Sequence, residues 1–150
     1  MANKERISLP DELAISIARE CSRNLRRAIL MLEACHLHKR DGLTKETPVQ
    51  KTDWEIYIKQ LAQDISTEQT PQKLMAAREK IYDLLVNCIP AHVILKTLAK
   101  ELSKTLDESL KPEIFEWAAF YEHRIVHGSK EIFHVEAFVA EYMAIYKRYL

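Results

Sequence analysis

Three arginines, Arg23, Arg26 and Arg27, stand close together in the segment CSRNLRRAILMLEAC, residues 21–35. Ser22 before a long apolar-periodic run predicts a helix that begins here, with Ser22 as its capping residue. The first turn of a helix ordinarily favours acidic side chains, because its unpaired N–H groups and the macrodipole make that end positive. Three cations at this end therefore need a reason.

Phosphate binding is the chemistry that these arginines could perform. Positions 23, 26 and 27 stand at i, i+3 and i+4, so all three are predicted to project from one side of the first turn. Arginine forms directed, often bidentate hydrogen bonds to phosphate oxygens, and free N–H groups at a helix start favour the same ligand. The alternative is a solvated face on which a nearby acid neutralises the cluster: Asp11, Glu12 or Glu20.

Three histidines form the other candidate for chemistry. His123 and His127 are one helical turn apart and His134 follows seven residues later, so the set has three nitrogens for a metal. Gly128 breaks the helix between them, however, and the HExxH pattern is absent. The sequence also has no glycine-rich phosphate loop, GxSxG elbow or Cys–His nucleophile pattern. We therefore expect no metal site and no enzyme activity from this chain alone.

Composition favours an all-α protein. Only two glycines occur in 150 residues, whereas turn-rich sheet proteins need many residues at positive φ. The 22 basic and 22 acidic side chains cancel, which argues against a domain that holds nucleic acid by a basic face. Three cysteines without CxxC spacing fit a reducing compartment, and no apolar run is long enough to span a bilayer. We expect a soluble intracellular protein without a membrane partner.

Helix start signals predict three regions: residues 1–40, a linker over 41–51, and residues 52–150. The first region holds two helices, which begin at Pro10 and at Ser22. The last region holds five helices, and their predicted starts are Thr52 or Asp53, Thr70–Pro71, Pro90, Ser109–Pro112 and Ser129. Gly128 is predicted to take the left-handed position after a helix end. Short connections predict that consecutive helices pack antiparallel.

The last two predicted helices are apolar over more than one stripe. This width is explained either by a contact with another chain or by a central place in the bundle. Aromatic anchors are common to cores and interfaces. Five aromatic residues are therefore candidates for core or subunit interface: Trp117, Tyr121, Phe138, Tyr142 and Tyr146.

Several segments resemble replication factor C. RNLRRAILMLEA resembles the sensor-2 element of AAA+ clamp-loader subunits, in which a lid helix offers an arginine to the nucleotide of the ATPase domain. Downstream, DWEIYIKQLAQDI, EQTPQKLMAAREKIYDLLVNCIP, VILKTLAKEL and EWAAFYEHRIVHGSKEIFHVEAFVAEYMAIYK resemble successive helices of the collar domain. The resemblance implies a partial AAA+ lid of two helices in residues 1–40 and a five-helix collar bundle in residues 52–150.

The resemblance also implies a function. Replication factor C is a nuclear pentamer that uses ATP to load the ring-shaped sliding clamp onto primer–template DNA in replication and DNA repair. By position, Arg26 corresponds to the sensor-2 arginine, with Arg23 and Arg27 beside it, and ATP or ADP would bind only with the ATPase domain. No Walker A, Walker B or Ser-Arg-Cys motif occurs in this chain. We therefore expect no cofactor in this chain and, as partners, the other subunits, the clamp and the DNA.

Two alternatives remain open at this point. A helix-turn-helix DNA-binding module could use residues 22–37 for recognition, with Arg23, Arg26 and Arg27 near the groove, although the zero net charge weighs against it. A generic helical protein-interaction scaffold is the other alternative.

Overall fold

The computed structural model describes residues 2–5, 7–39 and 42–149 and divides the chain into two units, Met1–Thr52 and Asp53–Leu150. Every regular element in these described ranges is helical, which confirms the prediction of an all-α chain. None of the described helices is both long and apolar enough to cross a membrane.

The first unit contains a short 3-10 helix, Ala2–Glu5, and two α-helices, α1 (Asp11–Glu20) and α2 (Leu25–His38). As predicted, α1 begins directly after Pro10. Its apolar face packs against α2 around a small core: Leu13, Ile17, Cys21 and Met31.

Residues 42–52, which include most of the predicted linker, belong to the first unit. Leu43 and Val49 contact its core. The buried Thr47 side chain accepts a hydrogen bond from the Thr44 backbone N–H at 3.0 Å. The predicted boundary between residues 40 and 41 lies outside the described residues.

In the described residues the second unit consists of five α-helices: α3 (Asp53–Thr67), α4 (Pro71–Val86), α5 (Ala91–Ser103), α6 (Lys111–His127) and α7 (Glu131–Tyr149). Each helix contacts the next one along the chain, and α3 also packs closely on α5. One continuous apolar core runs through all five helices.

Helices α5 and α7 lie at the centre of the second unit, because each of them contacts the other four helices. The buried side chains on α7 are Val135, Phe138, Val139, Tyr142, Met143 and Ile145. The wide apolar surface of this helix is therefore explained mainly by internal packing.

The predicted helix starts of the second unit are confirmed in part. Thr70 caps α4, where its Oγ1 accepts a hydrogen bond from the Lys73 N–H at 3.3 Å, and Pro71 takes the first turn. Ser109 does not cap α6, since Leu110 precedes the first helical residue. Ser129 lies two residues before the start of α7 and is also not in the capping position.

The prediction of a left-handed Gly128 is wrong. Its φ is −91° and its ψ is 163°, an extended conformation that any residue adopts. Glycine is required here by crowding, because an added Cβ would lie 2.3 Å from His134 Nε2 and 2.9 Å from the Arg124 carbonyl oxygen. The left-handed backbone at the bundle's turns occurs instead at Cys88, with φ of 60°.

Candidate functional site

The arginine segment does not have the predicted cap. Helix α2 begins at Leu25, and Asn24 is its capping residue, with Asn24 Oδ1 accepting a hydrogen bond from the Arg27 N–H at 3.1 Å. Ser22 and Arg23 have left-handed backbone, with φ of 51° and 64°. An N-cap residue needs an extended backbone, which Asn24 has, with φ of −96° and ψ of 108°. Ser22 is therefore excluded from this role.

This turn also separates the three arginines. Arg26 and Arg27 lie in the first turn of α2, as predicted, whereas Arg23 precedes the helix. The i, i+3, i+4 arrangement on one helical side therefore does not apply to Arg23. The site consists of two arginines at the positive end of a helix and a third in the strained turn before it.

The acids that could have neutralised this cluster are partly engaged elsewhere. Glu12 Oε1 lies 3.0 Å from Lys45 Nζ, and Glu20 Oε2 lies 3.6 Å from Lys51 Nζ. Among the described residues no acid forms an ion pair with Arg23 or Arg26, and both arginines are exposed. The guanidinium groups of Arg23, just before α2, and of Arg26, in its first turn, therefore face solvent and can contact an anion.

Removing the Asn24 cap tests this local geometry. Asn24→Ala is expected to lower the free energy of unfolding of the first unit by about 1 kcal/mol, because the Arg27 N–H loses its partner. Ser22→Ala is the matched control and should change stability by less than about 0.5 kcal/mol. Urea unfolding of both variants measures the difference, and a larger loss for Ser22→Ala would contradict the assignment of the cap.

The five aromatic candidates divide into core and surface-adjacent residues. Phe138 and Tyr142 are fully buried in the second unit, and so they belong to its core. Trp117, Tyr121 and Tyr146 are half-buried and pack against the edge of that core. Trp117 and Tyr121 stack with their ring centroids 5.9 Å apart.

Tyr142 is buried with its hydroxyl group satisfied. The Tyr142 and Ser66 hydroxyls lie 2.8 Å apart, and Ser66 Oγ donates to the Ala62 carbonyl at 2.8 Å, so Tyr142 donates to Ser66. Burial raises the pKa of the Tyr142 hydroxyl above its ordinary value of 10.0. The neutral form is thus favoured in the folded state, and the resulting stability is present below pH 10 and lost at higher pH.

Tyr142→Phe is expected to lower the free energy of unfolding by about 0.5–1.5 kcal/mol at neutral pH, because the buried hydrogen bond to Ser66 is lost. It should also reduce the loss of stability between neutral pH and a pH above 10. Chemical unfolding at both values measures the two effects. An unchanged alkaline loss in the variant would show that Tyr142 ionisation contributes nothing to it.

Sequence reasoning missed the exposed apolar side chains of α4, whereas it predicted the wide apolar surface of α6. Large apolar side chains are exposed on both helices: Met75, Tyr82, Val86, Phe115, Phe120 and Val126. A usable pattern was present on α4, since Met75, Tyr82 and Val86 lie seven and four residues apart, which places them on one side of a helix.

The histidines are arranged as a pair and a separate residue. The His123 and His127 rings pack edge to face with centroids 4.5 Å apart, whereas His134 lies beside Gly128. Within the described ranges no group of three or more His, Cys, Asp or Glu side chains could hold a metal ion.

Two family models match this chain. Residues 54–150 match the replication factor C subunit 3, C-terminal domain, and residues 1–37 match the RCF1/5-like AAA+ ATPase lid domain. These matches coincide with the second unit and with the α1–α2 part of the first. The fold thus belongs to the class in which an AAA+ lid is joined to a helical C-terminal domain.

Curated relatives agree over the whole chain. Replication factor C subunit 3 of Arabidopsis thaliana is 50% identical and replication factor C subunit 3 of Homo sapiens is 44% identical, each over all 150 residues. Replication factor C subunit 5 of rice is 50% identical over the same length. The chain spans 42% of the length of each of these relatives. It belongs to the replication factor C subunit family, which confirms the resemblance found in the sequence.

Proposed function

We propose that this chain forms the lid and the collar of a clamp-loader subunit, and that its own role is assembly without catalysis. The match of residues 54–150 to the C-terminal domain of replication factor C subunit 3 carries this proposal. The second unit, which we call the collar from here on, supports it with a continuous core through five helices. A domain with its own core is a rigid platform on which neighbouring subunits can be held.

In this proposal the partners are the other replication factor C subunits, which together form a hetero-pentamer in the nucleus. The whole complex loads the sliding clamp onto primer–template DNA with ATP. We assign no nucleotide hydrolysis to this chain, because its two matched regions are a lid domain and a C-terminal domain.

Arg26 is the residue that we assign to nucleotide sensing, with Arg23 and Arg27 as secondary candidates. Arg26 is exposed in the first turn of α2, where helix N–H groups and the dipole favour phosphate. Sensing requires an ATPase domain to supply the rest of the pocket. We therefore expect this chain alone to bind ATP or ADP with no measurable affinity in calorimetry, and micromolar binding would contradict this part of the proposal.

Affinity capture tests the assembly role. A tagged form of this chain, co-expressed with the other four replication factor C subunits, is expected to retain them through a high-salt wash. Capture of none of the four would contradict the proposal. A tagged first unit, Met1–Thr52, is the control and is expected to retain none of them.

A further inference from the structure

We infer that α5 carries a binding site for the phosphate backbone of a nucleic acid. The site is a row of basic side chains that begins at His92 and continues through Lys96, Lys100 and Lys104, and we call it the α5 row. This inference rests on the proposed clamp-loader function and names a part of this chain that contacts the DNA.

The α5 row is the one stripe of this helix that the bundle leaves open. Helix α5 packs against the other four helices of the collar, and most of its side chains are buried between them. Within Ala91–Ser103 the exposed residues are His92, Lys96 and Lys100, and the exposed Lys104 continues the stripe at the C-cap. Each exposed side chain on this stripe is therefore a basic one.

The side chains of the α5 row lie one helical turn apart. Positions 92, 96, 100 and 104 are spaced by four residues, which places them above one another on one side of the helix. The row is about 18 Å long, since each residue adds about 1.5 Å. Like charges at this spacing repel each other and destabilise the helix. A ligand with several anionic groups along its length would remove this repulsion.

Two lysines of the α5 row are not neutralised by an acid. Among the described residues, Lys96 Nζ and Lys100 Nζ form no ion pair and no hydrogen bond, whereas Lys104 Nζ pairs with Glu101. This is so although the collar has more acidic than basic side chains. The ammonium groups of Lys96 and Lys100 are thus available to an anion from outside the chain.

The side-chain chemistry of the α5 row favours nucleic acid over a protein partner. Protein interfaces have aromatic and apolar side chains at their centre, and lysine is depleted there. The α5 row has no aromatic or apolar member. Beside its lysines lies the half-buried Thr97, and lysine ammonium and threonine hydroxyl groups are both common partners of phosphate oxygens.

The α5 row predicts binding without sequence preference. Base sequence is recognised at base edges, and single strands are also held by stacking on aromatic rings. Lysines in a row provide only the contacts to the backbone. Duplex DNA is therefore expected to bind at least as tightly as a single strand, because its charge density is higher. The balanced charge of the chain argues against a broad basic face, and a narrow row is compatible with it.

The salt dependence of DNA binding tests the α5 row. The full chain would be titrated against fluorescently labelled duplex DNA of random sequence, and against one of its strands, at several salt concentrations. The double variant Lys96→Gln, Lys100→Gln is expected to bind the duplex at least about tenfold more weakly at low salt. The slope of log K against log salt concentration should become less negative by about 2, because each lost phosphate contact removes about 0.9.

Lys147→Gln is the matched control, because it removes an exposed lysine of α7 that lies outside the α5 row. It is expected to leave both the affinity and the slope nearly unchanged. The arginines of the first unit are present in all of these proteins, so their contribution cancels in the comparison. Circular dichroism and thermal unfolding verify that each variant stays folded.

Other results of the titration overturn the inference. Absence of DNA binding by the unchanged chain at low salt would do so, and so would an unchanged slope in the double variant. An equal loss in Lys147→Gln would show that binding depends on overall charge and not on the α5 row. If the double variant keeps its DNA affinity but no longer captures the other subunits, the row contacts an acidic protein surface instead.

Affinity capture separates this inference from the proposed function. The double variant is expected to capture the other replication factor C subunits as well as the unchanged chain does. Failure of the unchanged chain to capture any subunit would reject the proposed function, whatever its DNA binding. Normal capture together with DNA binding that does not depend on Lys96 and Lys100 would reject only the α5 row.

Discussion

Replacement of Phe138 by alanine is expected to lower the free energy of unfolding of the collar by about 3–5 kcal/mol. Phe138 is completely buried on α7, one of the two collar helices that contact all the others. The substitution removes a large apolar side chain from the centre of the bundle and leaves a cavity that five packed helices can close only in part. Urea unfolding followed by circular dichroism at 222 nm measures the loss.

Phe133→Ala is the matched control, because it makes the same chemical change on the same helix. Phe133 is half exposed, with the Lys130 ammonium 5.7 Å from its ring centroid. The expected loss for Phe133→Ala is below about 1 kcal/mol, the usual range for a partly exposed site. Equal losses in the two variants would contradict the central position of α7.

Gly128→Ala is expected to destabilise the collar by about 1–3 kcal/mol, the usual cost of forcing extra volume into a packed site. The added methyl group would lie 2.3 Å from His134 Nε2 and 2.9 Å from the Arg124 carbonyl oxygen. The histidine ring can rotate away, but the carbonyl oxygen accepts the Gly128 N–H at 2.8 Å and is held at the end of α6. Thermal unfolding monitored by circular dichroism measures the effect.

A double variant separates the two clashes at Gly128. His134→Ala in the Gly128→Ala background should recover part of the lost stability and leave the part that is due to the carbonyl oxygen of Arg124. If Gly128→Ala does not destabilise the collar, steric crowding is not the reason for glycine at this turn.

The helices of this protein could be predicted from its sequence because proline, threonine and glycine mark their limits clearly. Pro10 before α1 and Thr70–Pro71 at α4 act locally, through a fixed φ and a side-chain hydrogen bond, and such effects need no knowledge of the fold. The five helices of the collar follow from start signals and apolar spacing, which are also local, and the all-α class follows from the presence of only two glycines.

Features that depend on tertiary neighbours could not be predicted in this way. Ser22 and Asn24 are both good capping residues, and the short turn out of α1 decides between them, because it forces Ser22 and Arg23 into left-handed backbone. Gly128 has the usual sequence position of a left-handed glycine. Glycine is needed there, however, because the His134 ring of the next helix leaves too little room for a Cβ atom. The central place of α7 depends on contacts with four helices.

The candidate site was predictable only where local sequence signals determine it. Arg26 and Arg27 lie at a helix start in the sequence and in the structure. The structure was needed to divide the aromatic residues into buried Phe138 and Tyr142 and half-buried Trp117. Sequence spacing alone does not show which apolar row of a helix faces the other helices.

Measurement of the mass of the co-expressed complex tests the central claim most directly. This chain, purified with the other four replication factor C subunits, would be analysed by size-exclusion chromatography with light scattering, beside a version truncated before Pro112. We predict a pentamer that contains one copy of this chain, and loss of that copy on truncation, because α6 and α7 carry much of the collar core. Elution of the full chain alone as a stable monomer would contradict the assembly role.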